Sequence, residues 1–310
     1  MLRKIRIVLA TVMFIGITWL FVDFTGTAHQ WFSWMPKLQL LEAILALNVV
    51  ALVFLIAMTL VFGRIYCSII CPLGILQDII GWVGKKVKKN RYTFSKAVSW
   101  LRYTMLGVMV VALVAGIGSI VQLLAPYSAF GRIATTLLQP LYKMGNNVLA
   151  AISEHYDNYV FYHTETGVPN ITIVLAIACV TLVVLAVLAY RNGRTYCNTI
   201  CPVGTVLSFL SRFSWMKIQF DADKCKNCSL CTKNCKAACI DFKNHQVDYS
   251  RCVVCGDCIE SCKFGALEYS SSTRDTSNTS VDPSKRSFLL ASAMMTTAAL
   301  AQEAKMTDGG

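Results

Sequence analysis

Charged residues are scarce in this sequence. Only 15% of its 310 residues are Asp, Glu, Lys or Arg, whereas 55% are hydrophobic. A typical soluble domain has about 25% charged and about 45–50% apolar residues. The composition therefore excludes an ordinary soluble enzyme, a disordered chain and a coiled coil, and it predicts a membrane protein.

Several catalytic and cofactor motifs are also missing. The sequence has no Gly-rich phosphate loop, no nucleophile triad, no flavin fingerprint and no Cys-x-x-Cys-His haem motif. Hydride or hydrolytic chemistry would therefore have to come from a partner protein. We interpret His155 and His163 as surface residues rather than as haem ligands.

Long uncharged runs show where the chain is expected to cross the membrane. About 20 apolar residues span the hydrocarbon core as a helix, and the sequence has uncharged runs over residues 7–22, 43–62, 103–131 and 166–190. We predict four transmembrane helices near residues 5–23, 40–62, 103–124 and 169–190. The fold class of residues 1–216 is then an all-α four-helix transmembrane bundle.

The excess of basic residues sets the orientation. The formal net charge is +12, and many of the lysines and arginines lie before residue 7 and between residues 63 and 102. Positively charged loops stay on the cytoplasmic side. The sequence therefore predicts a multi-pass protein of the bacterial inner membrane with a cytoplasmic N-terminus, a membrane lipid environment and no nucleic-acid partner.

Eight of the 14 cysteines form a repeated pattern in residues 217–269. Each half reads Cys-x2-Cys-x2-Cys-x3-Cys, the spacing of two-cluster bacterial ferredoxins, in which the fourth cysteine of each run binds the other cluster. Residues 217–269 are therefore predicted to form a C-terminal α+β ferredoxin domain. The predicted ligand sets of two [4Fe–4S] clusters are Cys225, Cys228, Cys231 and Cys262 for cluster 1, and Cys252, Cys255, Cys258 and Cys235 for cluster 2. Zinc binding and disulfides are the weaker alternatives.

This pattern departs from the usual one at three positions. Lys236 and Lys263 stand where a proline commonly follows the fourth cysteine, which changes the turn but removes no ligand. The additional Cys239 aligns with Ala266, so we interpret it as a small packed residue. Cys179, alone in the fourth predicted helix, is expected to be a core residue.

Four more cysteines form a second repeat at the ends of two predicted helices. Residues 63–74 and 193–204 share the pattern Gly-Arg-x-Tyr-Cys-x3-Cys-Pro-x-Gly. Residues four apart lie on one face of a helix, so each pair could bind a metal or form a redox dithiol. Cys67, Cys71, Cys197 and Cys201 are therefore the candidate ligands of a metal or redox centre at the membrane surface. A structural turn with buried thiols and a disulfide switch stay open as alternatives.

With both cysteine motifs in order along residues 1–270, the chain resembles the NapH-like membrane ferredoxins. That family includes the quinol-dehydrogenase membrane component of periplasmic nitrate reductase and the membrane part of the regulator NosR. The resemblance implies electron transfer between the quinone pool or a cytoplasmic donor and a partner oxidoreductase, which the family places across the membrane. A related group with the same motifs is linked to copper handling, so an assembly factor and a redox-sensing regulator are the alternative functions.

A quinone site has no clear motif. The candidate polar residues for such a site are Asp23, His29 and Glu42. They lie near the outer ends of the first two helices, where solvated charges are ordinary, so we favour an interfacial role for them. Near the cluster ligands, lysines are expected to favour the reduced clusters and to attract an acidic redox partner: Lys224, Lys226, Lys233, Lys236 and Lys263.

The C-terminal tail has an unusual composition. Residues 270–286 are rich in Ser and Thr, which predicts a flexible linker. Residues 287–310 contain a 16-residue uncharged run after Lys285-Arg286, similar to a twin-arginine export signal. We expect either a missing periplasmic domain beyond this signal-like segment or a short amphipathic or re-entrant anchor.

Overall fold

The structure is a computed structural model that describes residues 2–88, 92–155, 163–164 and 171–271. Residues 1–271 form one compact unit, and residues 272–310 are a separate unit outside the described part. The expectations for the linker and the signal-like tail therefore fall almost entirely outside the described residues and stay predictions.

The described part is predominantly helical. Its helices are α1 (Leu2–Val22), α2 (Thr27–Phe32), α3 (Trp34–Lys37), α4 (Leu40–Leu45), α5 (Val49–Phe62), α6 (Tyr66–Ile69), α7 (Pro72–Lys88), α8 (Ser99–Val114), α9 (Gly118–Leu124), α10 (Pro126–Ile133), a π-helix (Ala134–Leu138), α11 (Gln139–His155), α12 (Ile171–Asn192), α13 (Thr195–Thr199), α14 (Pro202–Ser211), α15 (Leu230–Asn234) and α16 (Asp257–Ser261). The strands are β1 (Met216–Phe220), β2 (Ile240–Asp241), β3 (Gln246–Val247) and β4 (Leu267–Ser271).

Two of the four predicted spans are continuous helices. By length and apolarity, Leu2–Val22 and Ile173–Asn192 are each able to cross a membrane. The other two predicted helices, over 40–62 and 103–124, are each broken in two. Leu47 has φ +50° between α4 and α5, and Gly116 has φ +70° between α8 and α9. A left-handed residue ends an α-helix, so the prediction of unbroken helices at these two places is wrong.

The two Cys-x3-Cys-Pro repeats interlock. In each repeat a long apolar helix leads through a short cysteine-bearing helix into an amphipathic one: α5, α6 and α7 in the first, α12, α13 and α14 in the second. Helix α7 packs against α12, and α14 packs against α5. Each repeat therefore buries its last helix against the first helix of the other repeat, and neither has a separate core.

One core prediction is wrong. Cys179 lies on the exposed side of α12, next to the exposed Val180 and Val183. The side of α12 that faces inward carries Ala178, Leu185 and Ala189 instead. Because the whole helix is apolar, its composition could not show which face packs against protein.

The cysteine-rich segment after α14 is a small α+β unit. Strands β1 and β4 pair antiparallel, from Met216 opposite Ser271 to Phe220 opposite Leu267. Strands β2 and β3 form a second antiparallel pair, and the two short helices α15 and α16 pack together. The fully buried Ile218 and Ile240 place the core of this unit between the two sheets and the helices.

Candidate functional site

The first predicted ligand set surrounds a common cavity. Its lining contains all four predicted cluster 1 cysteines, namely Cys225, Cys228, Cys231 and Cys262. The apolar part of the lining includes Phe220, Phe242, Phe264 and Leu267. Four thiols around an apolar hollow have the donor chemistry of a cubane iron–sulfur cluster, so the residues present fit that cofactor. Cys228 is exposed, which places this site at the protein surface.

The second predicted set is buried. Cys235, Cys252, Cys255 and Cys258 are all less than 10% exposed, and the three other thiols lie close enough to Cys258 to affect its pKa. Burial raises the pKa of Cys255 to about 12. The additional Cys239 is also buried, with its Sγ 3.5 Å from Cys235 Sγ. Sulfur–sulfur hydrogen bonding to Cys239 lowers the pKa of Cys235 to about 7.

The backbone around the two sets has the same unusual conformation at equivalent positions. Asn227 and Val254, each two residues after the first cysteine of a run, have φ near +50°. Ser229 and Gly256 follow two positions later, also with positive φ. Left-handed residues turn backbone N–H groups towards a common centre, which favours an anion. Accordingly, Asn227 donates its backbone N–H to Cys225 Sγ at 3.4 Å.

The four thiols of the two Cys-x3-Cys-Pro repeats, which we call the membrane repeats after their predicted location, also come together. Each of Cys67, Cys71, Cys197 and Cys201 is at most 4% exposed, and the charges of Cys67, Cys71 and Cys197 act on Cys201. Burial raises the pKa of Cys71 and Cys201, and burial with the nearby Cys67 raises that of Cys197 to about 11. Ligation requires the thiolate, so a bound metal group or nearby cations must compensate for this burial.

The two arginines of the repeats provide that positive charge, in a crossed arrangement. Arg64 of the first repeat donates from Nη2 to the carbonyl oxygen of Cys197 at 3.3 Å. Arg194 of the second donates from Nη1 to the carbonyl oxygen of Cys67 at 2.7 Å. Both guanidinium groups are completely buried. Each arginine thus fixes the cysteine loop of the other repeat and places a cation beside the thiols.

The last glycine of each motif allows the chain to pass close to the carbonyl oxygen that accepts from the arginine of the other repeat. A Cβ at Gly74 would collide with the carbonyl oxygen of Cys67, and a Cβ at Gly204 would collide with that of Cys197. Gly204 also donates its backbone N–H to Cys201 Sγ at 3.4 Å. A glycine is therefore required at the last position of each motif, because the chain there lies against the backbone of the first cysteine of the same motif.

A largely buried carboxylate, which the sequence did not indicate, connects the two modules. Asp78 accepts hydrogen bonds from Arg194 Nε at 2.7 Å and Arg6 Nη1 at 3.0 Å, and it pairs with Lys236 Nζ at 3.3 Å. Burial by itself would raise the pKa of Asp78, but the charges of Arg194 and Lys236 outweigh it and hold the pKa well below its usual range. Lys236 follows the predicted cluster 2 ligand Cys235, so this network joins the cluster 2 set to the membrane repeats.

Arg64 makes a second connection between the modules. Its Nη1 donates to the carbonyl oxygen of Ser250 at 2.9 Å and to Asn198 Oδ1 at 2.8 Å. Asn198 in turn donates to the carbonyl oxygen of Ala237 at 3.4 Å. The buried cluster 2 set therefore lies beside the membrane thiols, whereas the predicted cluster 1 set includes the exposed Cys228.

The remaining predicted polar residues have local roles. Asp23 accepts the backbone N–H of Ala28 at 2.7 Å and so stabilises the start of α2, His29 is exposed and Glu42 is half-buried. His163 lies 3.8 Å from Glu154. Among the residues that the structure describes, no group of three His, Cys, Asp or Glu side chains has the arrangement of a single metal-ion site.

Comparison with protein families identifies the same two modules. A family described as a 4Fe-4S binding domain matches residues 44–90 and again 172–220, one match for each Cys-x3-Cys-Pro repeat. A second family with the same description matches residues 245–268, in the ferredoxin unit. With the thiol geometry, these matches define an iron–sulfur protein of the ferredoxin type, and they confirm the prediction of iron–sulfur clusters.

Curated relatives match about 60% of the chain at low identity. It is 27% identical over 63% of its length to a protein of Escherichia coli strain K12 named electron transport protein YccM, covering 47% of that protein. It is 25% identical over 57% of its length to the methylamine utilization ferredoxin-type protein MauN of Paracoccus denitrificans, covering 49% of that protein. The chain thus spans about half the length of these relatives. No solved structure is significantly similar to it.

Proposed function

We propose that this protein is a membrane-bound iron–sulfur electron carrier of the NapH-like type. It transfers electrons between the quinone pool or a cytoplasmic donor and a partner oxidoreductase. The single observation that carries the proposal is the placement of three four-thiol groups in one compact unit, with the buried cluster 2 set joined to the membrane thiols through Arg64 and Asp78.

Exposed apolar surface supports a membrane location. Val50, Val114 and Ile173 are each more than 70% exposed, as is Trp100. Water-soluble proteins rarely leave large apolar patches uncovered, and lipid is the environment in which such helices are stable. Helix α1 begins beside the ferredoxin unit, because Arg3 pairs with Asp257 at 3.0 Å. The charged N-terminus and the cluster 2 set therefore lie on the same side, and the excess of basic residues supports the proposal that this side is cytoplasmic.

The four membrane-repeat thiols are the proposed ligands of a third iron–sulfur centre. Both repeats match a family described as binding 4Fe-4S, and the buried Arg64 and Arg194 supply positive charge beside the thiols. Gln77 donates from Nε2 to Cys197 Sγ at 3.2 Å. Hydrogen bonds and charges of this kind set the reduction potential of iron–sulfur centres.

The three proposed sites differ in their exposure to solvent and in their surroundings. When bound, each iron–sulfur cluster supplies one-electron redox chemistry at a potential set by its surroundings. Cys228 leaves cluster 1 accessible to a soluble redox partner. The burial of Cys235 and Cys258 keeps water from cluster 2. Two of the lysines expected to attract an acidic partner are paired within the chain, Lys224 with Asp221 and Lys236 with Asp78.

Electron paramagnetic resonance of the anaerobically purified full chain tests this function. Dithionite should produce reduced iron–sulfur signals, and Cys225→Ser and Cys255→Ser should each remove a different part of them. A quinol should reduce the clusters, or an oxidised quinone should reoxidise them, according to the direction of electron flow. The absence of iron–sulfur signals, or copper in place of iron, would refute the proposal and favour a metal-handling role.

A further inference from the structure

A cavity of about 420 Å³ lies between the start of α1 and helix α7. Its wall is largely apolar, and its lining includes Ile7, Phe14, Ile79 and Trp82. Arg6, Asp78 and Lys236 form the polar part of the lining. Ligand sites typically combine such an apolar body with a few convergent polar groups.

The polar part of the cavity contains an unused hydrogen-bond donor. Arg6 is only 4% exposed, and its Nη1 donates to Asp78 at 3.0 Å. Its Nε is buried and has no hydrogen-bond partner among the described residues. A buried donor without a partner destabilises the folded state, so an acceptor oxygen of a ligand that Arg6 reached by a small movement of its side chain would stabilise this arrangement.

The charges around the cavity favour a neutral ligand. Asp78 pairs with both Arg6 and Lys236, so a phosphate would meet a carboxylate at the cavity wall. The remaining cation, Arg3, pairs with Asp257 and Glu260. Each cation of the lining therefore already has a carboxylate partner, which disfavours the head group of an anionic lipid.

The cavity is also adjacent to cluster 2. Lys236 follows Cys235 in the chain and pairs with Asp257 at 3.0 Å, and Asp257 precedes Cys258. A ligand with a neutral acceptor oxygen, an apolar body and redox activity is a quinone. We propose that this cavity, between α1 and α7 and with Arg6 at its polar end, binds the head group of a membrane quinone.

This inference rests on the proposed electron-transfer function and adds its quinone site. The site lies beside the N-terminal end of α1, at the ferredoxin side of the molecule. It does not include Asp23, His29 or Glu42, the candidates near the other end of α1. Exposed apolar residues at the cavity edge, such as Ile7 and Trp82, leave a route for a quinone to enter from the lipid.

Photolabelling of the cluster-loaded full chain with an azido-ubiquinone in detergent micelles tests the site. We expect label on peptides containing residues 7–14 and 75–82, displaced by excess decyl-ubiquinone. Ile79→Trp should narrow the cavity and weaken binding about tenfold, close to 1.4 kcal/mol. The matched control Ile173→Trp changes an isoleucine that is exposed elsewhere and should label like the wild type.

A second variant and a cluster measurement make the outcome decisive. Trp82→Leu changes a side chain that is 61% exposed, so it should fold and still reduce labelling. Label confined to residues 23–42, equal labelling of Ile79→Trp and wild type, or a bound phospholipid that decyl-ubiquinone does not displace would overturn the site. If dithionite-reduced cluster signals are normal while labelling fails, only this inference fails; if those signals are absent, the proposed function fails.

Discussion

The ferredoxin unit and the membrane repeats each contain a cysteine motif twice, but they bring their thiols together by different means. In the ferredoxin unit, short-range backbone turns at Asn227 and Val254 bring together the first three cysteines of each run. In the membrane repeats, buried side chains reach across from one repeat to the other, as Arg64 does to Cys197. The first arrangement depends on local sequence, and the second depends on the packing of the whole unit.

The largest expected effect concerns the buried charge network of the membrane repeats. Asp78→Leu would leave Arg194, which is completely buried, without its carboxylate partner. Breaking a buried ion pair by removing one partner costs about 3–5 kcal/mol. Thermal unfolding of the cluster-loaded protein in detergent should show a strongly lowered midpoint. The matched variant Asp241→Ala, at the end of β2 and outside the ion-pair network, should lower it much less, and equal shifts would contradict the comparison.

A smaller effect is expected from the motif glycines. Gly74→Ala places a Cβ against the carbonyl oxygen of Cys67, and such overpacking costs about 1–3 kcal/mol. At Gly145, in helix α11, a Cβ would meet only open space, so Gly145→Ala should stabilise that helix by up to about 1 kcal/mol. Unfolding midpoints that move in opposite directions support the crossed-arginine arrangement. A Gly74→Ala protein as stable as the wild type would argue against it.

A modest shift in reduction potential should separate the third centre from the ferredoxin clusters. Gln77→Leu removes the hydrogen bond to Cys197 Sγ, and a donor to a ligand sulfur favours the reduced state. The potential of the membrane-repeat centre should fall by tens of millivolts, corresponding to roughly 1 kcal/mol. Redox titration followed by electron paramagnetic resonance measures it, with Gln122→Leu, at an exposed glutamine, as control. If only the ferredoxin signals shifted, Gln77 would act on a ferredoxin cluster, and the predicted effect on the membrane-repeat centre would be contradicted.

The contribution of Asp78 to the free energy of unfolding should be lost only at low pH. The folded-state pKa of Asp78 lies below its unfolded value, so its contribution is fully present above about pH 4, the unfolded value. It is lost as the pH falls from there through the folded pKa. Chemical unfolding of the wild type, compared with Asp78→Asn, should give a stability difference that is constant between about pH 5 and 8. A difference that varies across this range would show that Asp78 titrates near neutrality.

The smallest effect is expected at Cys239, the additional thiol of the ferredoxin unit. Its Sγ lies 3.5 Å from Cys235 Sγ, but the ferredoxin spacing already supplies four ligands to each cluster. Cys239→Ala should therefore keep the full iron content, whereas Cys235→Ser should lower it. Iron analysis of the two purified variants distinguishes them. Equal losses would make Cys239 a ligand.

The local features of the molecule were predictable from its sequence. The cysteine spacing of residues 225–262 indicated which thiols share a site, and the structure places Cys225 and Cys262 on one cavity. Helices α1 and α12 were visible as long uncharged runs. In these cases a short stretch of sequence contains the whole signal, since spacing and apolarity act over only a few turns of chain.

The features that depend on distant parts of the chain were not predictable. Apolarity does not show a break at Leu47, where one left-handed residue interrupts the run. The role of Asp78 depends on Arg6, Arg194 and Lys236, which lie far from it in sequence. The one available signal was Asp78 itself, an isolated acid in the otherwise uncharged stretch between Arg64 and Lys85.

Iron and acid-labile sulfide counts of the full chain test the central claim most directly: that two different thiol modules bind separate iron–sulfur centres. With four irons in each cubane, three centres predict about twelve irons and about twelve sulfides per chain. Cys67→Ser should lower both counts to about eight and leave the ferredoxin signals unchanged. A wild-type count of about eight that Cys67→Ser does not alter would contradict a third centre, and fewer than about four would contradict the iron–sulfur assignment itself.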